Sequence, residues 1–242
     1  MTHNAFKPAP FKLLAPYLPQ ANKHGIGSVA AASLAVNIDP YPDMDIGDLV
    51  ELFWGDCYVA SKLLTASDIG HTCVLHVPQS FLNTGKVKTY YSVKKIGSQA
   101  VQSSPFKLWV KLEPPGGELI GPDLYENQGL QALSFPHTVL LHGLNKTHMS
   151  NGIDVSIKAY PNMDAYDEIT LSWGDTRIDL PIVTQEDVGQ PITFHLPGAF
   201  IKEASAGAPQ DVTYCVIDRV GNNSMWAPSR TISVAMDKHR DV

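Results

Sequence analysis

The chain has 242 residues, 44% of them hydrophobic and 17% charged, with a net charge of −6 from 24 acidic and 18 basic side chains. That composition belongs to a globular chain of one or two domains, and it includes neither an apolar run long enough to span a membrane nor a highly charged disordered tract. The acidic balance and the lack of a clustered Lys/Arg patch argue against nucleic acid as a partner.

Met1 to Pro8 lack the basic start and continuous apolar core of a secretory signal, so the expected location is cytoplasmic or reached by a leaderless export route. Pro8, Pro10, Pro16 and Pro19, then small residues around Gly25 and Gly27, predict an extended arm over residues 1–30 rather than a helix. The first strand signal lies at 34–38, where apolar positions recur with period two. It is cut by Asp-Pro-Tyr-Pro-Asp-Met-Asp-Ile-Gly-Asp at 39–48, a segment whose prolines fix φ and whose Asp and Gly suit turns. Next, Val50, Leu52 and Trp54 point one way and Glu51 and Phe53 the other, which aims the tryptophan at a core. Further strands are expected at 58–64, 73–78 (stopped by Pro78), 87–94 and 106–112.

This pattern returns 119 positions later. Tyr41, Asp45, Asp48, Trp54, Asp68, His76 and Pro78 recur as Tyr160, Asp164, Asp167, Trp173, Asp187, His195 and Pro197. An internal repeat of this length is most simply a repeated fold unit. After Phe81 and Phe200 the register breaks: aligning Thr89-Tyr90 with Thr213-Tyr214 adds five residues to the second repeat, expected as an exposed loop within 202–210. Residues 113–122, rich in Pro and Gly, read as a linker. The expected domains are 1–115 with the N-terminal arm and 116–242 with the linker. About seven short strands per repeat, with turn signals between them, predict an all-β chain of two tandem immunoglobulin-like β-sandwiches.

The residues Val36-x-Ile38-x-x-Tyr41-Pro42-x-Met44-x-x-Gly47-Asp48-x-Val50-x-Leu52-x-Trp54, followed by Asp68-Ile69-Gly70, Val77-Pro78 and Tyr90-Tyr91, carry a resemblance. The chain resembles the immunoglobulin-like repeats strung in tandem in large secreted or surface-associated proteins of pseudomonads and related bacteria. The second repeat departs at Ala165-Tyr166, where the family favours an aliphatic residue and glycine. The resemblance implies a spacer, adhesion or binding module and brings no catalytic residue with it.

Few residues invite chemistry. Asp43, Asp45 and Asp48 have the oxygen density of a calcium site, set against a turn role because the spacing and distal Glu of a calcium loop are missing. His76 and His195 fall on the outer face of their strands, and His137, His142 and His148 match no ligand spacing. Cys57, Cys73 and Cys215 include no C-x-x-C pair and are expected as mostly buried free thiols, with a Cys57–Cys73 bridge as the alternative. There is no nucleophile elbow, and the paired carboxylates Asp56 and Asp68 recur with the fold, which favours turn roles. No cofactor is called for. Tyr41, Tyr160, Trp109 and Trp226 remain as an expected aromatic surface for a protein or glycan, Trp226 standing in a turn over 221–226. The expected function is a non-catalytic binding or adhesion module working through loops at the sandwich ends. Its competitor is an accessory domain or small enzyme or toxin of a secreted effector system, with its activity in the arm and the insert.

Overall fold

The computed structural model describes residues 12–120, 125–205 and 209–234, and the chain divides into two units, Met1–Leu112 and Glu113–Val242. Unit 1 contains a single-turn helix α1 (Ser28–Ala31) and seven strands: β1 (Ala35–Ile38), β2 (Leu49–Trp54), β3 (Cys57–Leu63), β4 (Cys73–His76), β5 (Gly85–Lys94), β6 (Val101–Gln102) and β7 (Phe106–Val110). Strand β2 pairs antiparallel with β3 on one side and β5 on the other, and β5 continues to β6 and β7. Strands β1 and β4 form a separate two-stranded sheet. Val50, Leu52 and Trp54 share one buried cluster with Val36, Ile38, Cys73 and Leu75, so the two sheets close on each other as a sandwich.

The predicted arm is part of this domain. Leu13, Leu18 and Ile26 are buried in the same cluster, and Ile26 extends the sheet by donating to the Trp109 carbonyl at 3.0 Å and accepting from the Lys111 N–H at 3.1 Å. The arm is expected without a helix, but its last residues begin the single turn α1, beyond the last of the prolines, and proline spacing says nothing against burial of Leu13 and Leu18 between them. Residues 1–11 lie outside the described residues.

The first helices of unit 2 are α2 (His137–His142) and α3 (Lys146–Asn151), both short. Then follow β8 (Ile153–Ile157), β9 (Glu168–Trp173), β10 (Thr176–Asp179), β11 (Ile192–Leu196), α4 (Gly198–Ala204), β12 (Gln210–Ile217), β13 (Asn223–Trp226) and β14 (Arg230–Ile232). The topology repeats: β10, β9, β12 and β13 in one sheet with β14 also on β12, and β8 with β11 in the other. Trp173 is fully buried, with Phe135 and Phe200 edge-on to its indole at 5.7 and 6.2 Å. The all-β fold of two immunoglobulin-like sandwiches is therefore the observed one.

Three further sequence expectations change. Residues 114–117 are bonded into unit 2 instead of hanging free: Gly116 N–H donates to the Pro161 carbonyl (2.8 Å), and Asn162 Nδ2 to the Pro114 carbonyl (3.0 Å). The alignment of the repeats after residue 81 also slips by one. Leu52 lies opposite Tyr91, and Leu171 opposite Tyr214, so the offset grows from 119 to 123 and the insertion is four residues, not five. The counterpart of Tyr214 is buried Tyr91, not outward-facing Tyr90; with a side-chain period of two, a one-residue slip would turn the ring out of the core. The start of the expected exposed loop, 202–204, belongs to α4, whose Ala204 is buried, while 206–208 lie outside the described residues.

Candidate functional site

The long turn before the central strand is locked by the same Tyr–Asp pair in both units. Tyr41 Oη donates to Asp48 Oδ2, and Tyr160 Oη to Asp167 Oδ2, each at 2.9 Å. The same carboxylate oxygens accept from the Asp45 N–H (3.2 Å) and the Asp164 N–H (3.0 Å). Both tyrosines are buried, which corrects their assignment to an exposed aromatic surface: their rings fill the core and only the hydroxyl is used. Burial and the partner carboxylate raise both phenol pKa values well above the usual tyrosine range.

The acidic turn is likewise occupied by protein groups. Asp48 is buried, and Lys95 Nζ lies 3.3 Å from its Oδ2 while also donating to the Asp43 carbonyl. Asp45 Oδ1 accepts from the Ile46 N–H at 2.8 Å. In unit 2 the corresponding hairpin supplies Arg219, 2.9 Å from Asp164. Asp43 and its counterpart Asn162 both have φ 58, a left-handed conformation that Asp and Asn tolerate equally. A backbone requirement thus accounts for Asp43, and protein donors already use the Asp45 and Asp48 carboxylates.

The other residues with chemical potential are dispersed. Asp68 caps a turn through Thr65 and pairs with Lys62 at 2.6 Å, and these contacts hold its carboxyl well below the usual range, while Asp56 pairs with Lys88 at 2.9 Å. His76 and His195 are exposed, the latter with Nδ1 2.8 Å from Asp154 and Nε2 3.1 Å from the Asn151 carbonyl. His148 closes a capping box with Asn145 at the start of α3. The three cysteines are free thiols, but Cys57 is exposed, against expectation. Trp226 ends strand β13 and does not sit in a turn; it is half-buried, with the Arg177 guanidinium 5.4 Å from its ring centroid. Among the described residues no helix is long and apolar enough to cross a membrane.

Trp109 is different, because side chains distant in sequence gather around it. Across the β5/β7 pair, Lys86 lies opposite Trp109 and Lys88 opposite Lys107. Beyond β7, Asn22 and Gly25 close a tight turn by exchanging backbone hydrogen bonds of 2.9 and 3.2 Å, and Asn22 Oδ1 accepts from the N–H groups of His24 (2.7 Å) and Gly25 (3.0 Å). Gly25 has φ 134 and packs so closely that any Cβ there would overlap the Trp109 carbonyl oxygen. Between turn and hairpin is a cleft of about 520 Å³. Its lysines are Lys23, Lys86, Lys88 and Lys107, with the His24 imidazole beside them; its apolar lining includes Trp109, Leu108 and Phe106, and no acidic side chain among the described residues contributes.

The same sheet face continues as an aromatic cluster. Lys88 Nζ lies 5.9 Å from the centroid of Tyr90, which stacks on Phe53 at 5.0 Å with 10° between planes, and Phe53 meets Tyr58 edge-on at 6.2 Å. Sequence reading placed Phe53 outward and went no further. The available signal was asymmetry between repeats, since Phe53, Tyr58 and Tyr90 correspond to Ser172, Arg177 and Thr213 in unit 2. The lysine pair Lys88/Lys107 corresponds to Asp211/Thr231, joined there by a 2.6 Å hydrogen bond.

No protein-family model matches the chain, and none of the curated proteins matches it. Among solved structures it is similar to the fibronectin(III)-like modules of Clostridium thermocellum CbhA, at 9% identity and a TM-score of 0.43 over 91% of this chain and 94% of that one. It is also similar to part of a 1.5-MDa bacterial ice-binding adhesin (14%, TM-score 0.39, covering 93% and 66%) and to the FN1–FN3 domains of chicken CNTN1 (12%, TM-score 0.38, covering 93% and 69%). Likenesses at this level carry no argument about activity.

Proposed function

We propose that the chain is a non-catalytic binding module of the adhesion or spacer class, in which unit 1 carries the ligand site and unit 2 is a scaffold repeat. The observation that carries this reading is the cleft around Trp109: a concave site of about 520 Å³ with an aromatic wall and convergent charged groups, on a fold whose buried tyrosines and acidic turns are taken up by structure. The resemblance to tandem repeats of bacterial surface-associated proteins supports the class. The sheet face and the 21–25 turn, more than the loops at the sandwich ends, are the surface involved.

The test is capture of ligand by the intact chain on a glycan array and by pull-down, compared with Trp109→Ala and Lys86→Ala. Both variants are expected to lose capture, and Lys86→Ala to do so at an unchanged melting temperature because its side chain is exposed. Full capture by both variants would overturn the reading. A substrate turnover abolished by either change would replace it with the enzyme alternative.

A further inference from the structure

We infer that the Trp109 cleft and the Phe53–Tyr58–Tyr90 cluster are two ends of one track that binds a carboxylated polysaccharide; this rests on the binding-module reading and adds the class of ligand. Lys88 joins the two ends, since it lines the cleft and also lies over Tyr90. Four residues of β5 separate Lys86, beside Trp109, from Tyr90, which at the strand rise is about 13 Å. Phe53 and Tyr58 extend the track by two more strands, each about 4.8 Å further. A ligand touching both ends is therefore an oligomer and not a single sugar. Flat rings on an exposed sheet face suit the apolar faces of sugar rings, and Tyr58 at 52% exposed is open to contact.

The charge pattern gives the sign of the ligand. Lys88 and Lys107 lie directly opposite each other, an arrangement that costs cross-strand stability, and unit 2 has a hydrogen-bonded Asp211/Thr231 pair in its place. Asp56 offsets Lys88 in part, while the cleft concentrates positive charge on a chain whose net charge is −6. The anion is a carboxylate and not a phosphate polymer. Glu51 and Asp56 on the same face, the latter paired with Lys88, oppose a strand with a phosphate at every residue, whereas the wider charge spacing of an acidic sugar chain can pass them.

The experiment measures binding of the intact chain to galacturonate, mannuronate and glucuronate oligomers and to polysialate, each as a short and a long form, beside a carboxyl-reduced long oligomer, single-stranded oligo-dT and poly-glutamate. At least one long acidic glycan is expected to bind, roughly tenfold or more tighter than its carboxyl-reduced form, with affinity falling as salt rises. Lys107→Thr, which copies unit 2, is expected to weaken both short and long forms. Tyr58→Ala is expected to weaken only the long form. Equal binding of the reduced oligomer, tighter binding of oligo-dT or poly-glutamate, or indifference to Lys107→Thr would overturn the ligand class. If no acidic glycan binds while Trp109-dependent capture persists, the ligand class fails and the binding-module reading stands; if Trp109-dependent capture is also lost, both fail.

Discussion

The two units share their interior and differ on one face. Inside, the Tyr–Asp bond is 2.9 Å in both, and the tryptophan ends the same inward row. Outside, three aromatic rings and a pair of lysines in unit 1 correspond to a serine, an arginine, a threonine and an Asp/Thr pair in the sequence of unit 2. Groups that recur are the ones a sandwich needs to fold; groups that do not recur are free of that need. Asymmetry between repeats is thus the better guide to function, and it leads to the track on unit 1.

The largest effect tests whether the interiors are equivalent. Trp54→Ala and Trp173→Ala should each cost about 3–5 kcal/mol by leaving a cavity. Calorimetry should show each variant lowering the transition of its own unit, with Trp173→Ala the worse because that indole is fully buried between two phenylalanines. Melting close to wild type in both would break the assignment of these residues to the two cores.

An intermediate effect tests the repeated lock. Tyr41→Phe and Tyr160→Phe each remove a hydrogen bond to a buried carboxylate and should cost about 1.5–3 kcal/mol in chemical denaturation. The two costs should be similar if the lock is one device used twice. Both phenols have folded pKa values raised above the unfolded value of about 10, so the stability they contribute is complete below that pH and declines as pH rises beyond it. Each Phe variant should lose less stability than wild type as pH is raised past about 10, with no difference in slope below it. An unchanged alkaline slope would detach the lock from it.

The smallest effect concerns a local mismatch. Tyr166 has φ 72 and stands where unit 1 has Gly47, at φ 86. Their N–H groups make the same bond, to Val183 and Leu64 carbonyls at 2.8 and 2.9 Å. A tyrosine in this conformation costs roughly 1–2 kcal/mol, partly returned by the lower entropy of its unfolded chain. Tyr166→Gly should therefore stabilise unit 2 by less than about 1 kcal/mol, seen as a small rise in its melting midpoint.

The fold was legible in the sequence because period-two alternation and a long repeat report burial directly, as Val50, Leu52 and Trp54 do. The site was not. Lys86, Lys88 and Lys107 are scattered singly in sequence and converge only when β5 and β7 pair, and Lys23 and His24 join them because Gly25 lets a turn lie against the strand. Tyr41 and Tyr160 misled for the opposite reason: a tyrosine beside prolines looks like a loop residue until its hydroxyl is seen to bond a carboxylate inside. Tyr90-Tyr91 misplaced the later alignment by one residue, because only cross-strand register shows which ring faces in.

The bonding of residues 114–117 into unit 2 bears on how the chain meets a protease. Gly116 is tied to Pro161, Pro114 to Asn162, and Asn127 Nδ2 reaches the Gly117 carbonyl at 3.3 Å. A protease needs an extended, detachable segment, and this Pro-Pro-Gly-Gly run supplies one only after these contacts have opened. Resistance to cleavage there thus reports that the run is still tied down, and a nick reports that its contacts to Pro161, Asn162 and Asn127 have let go.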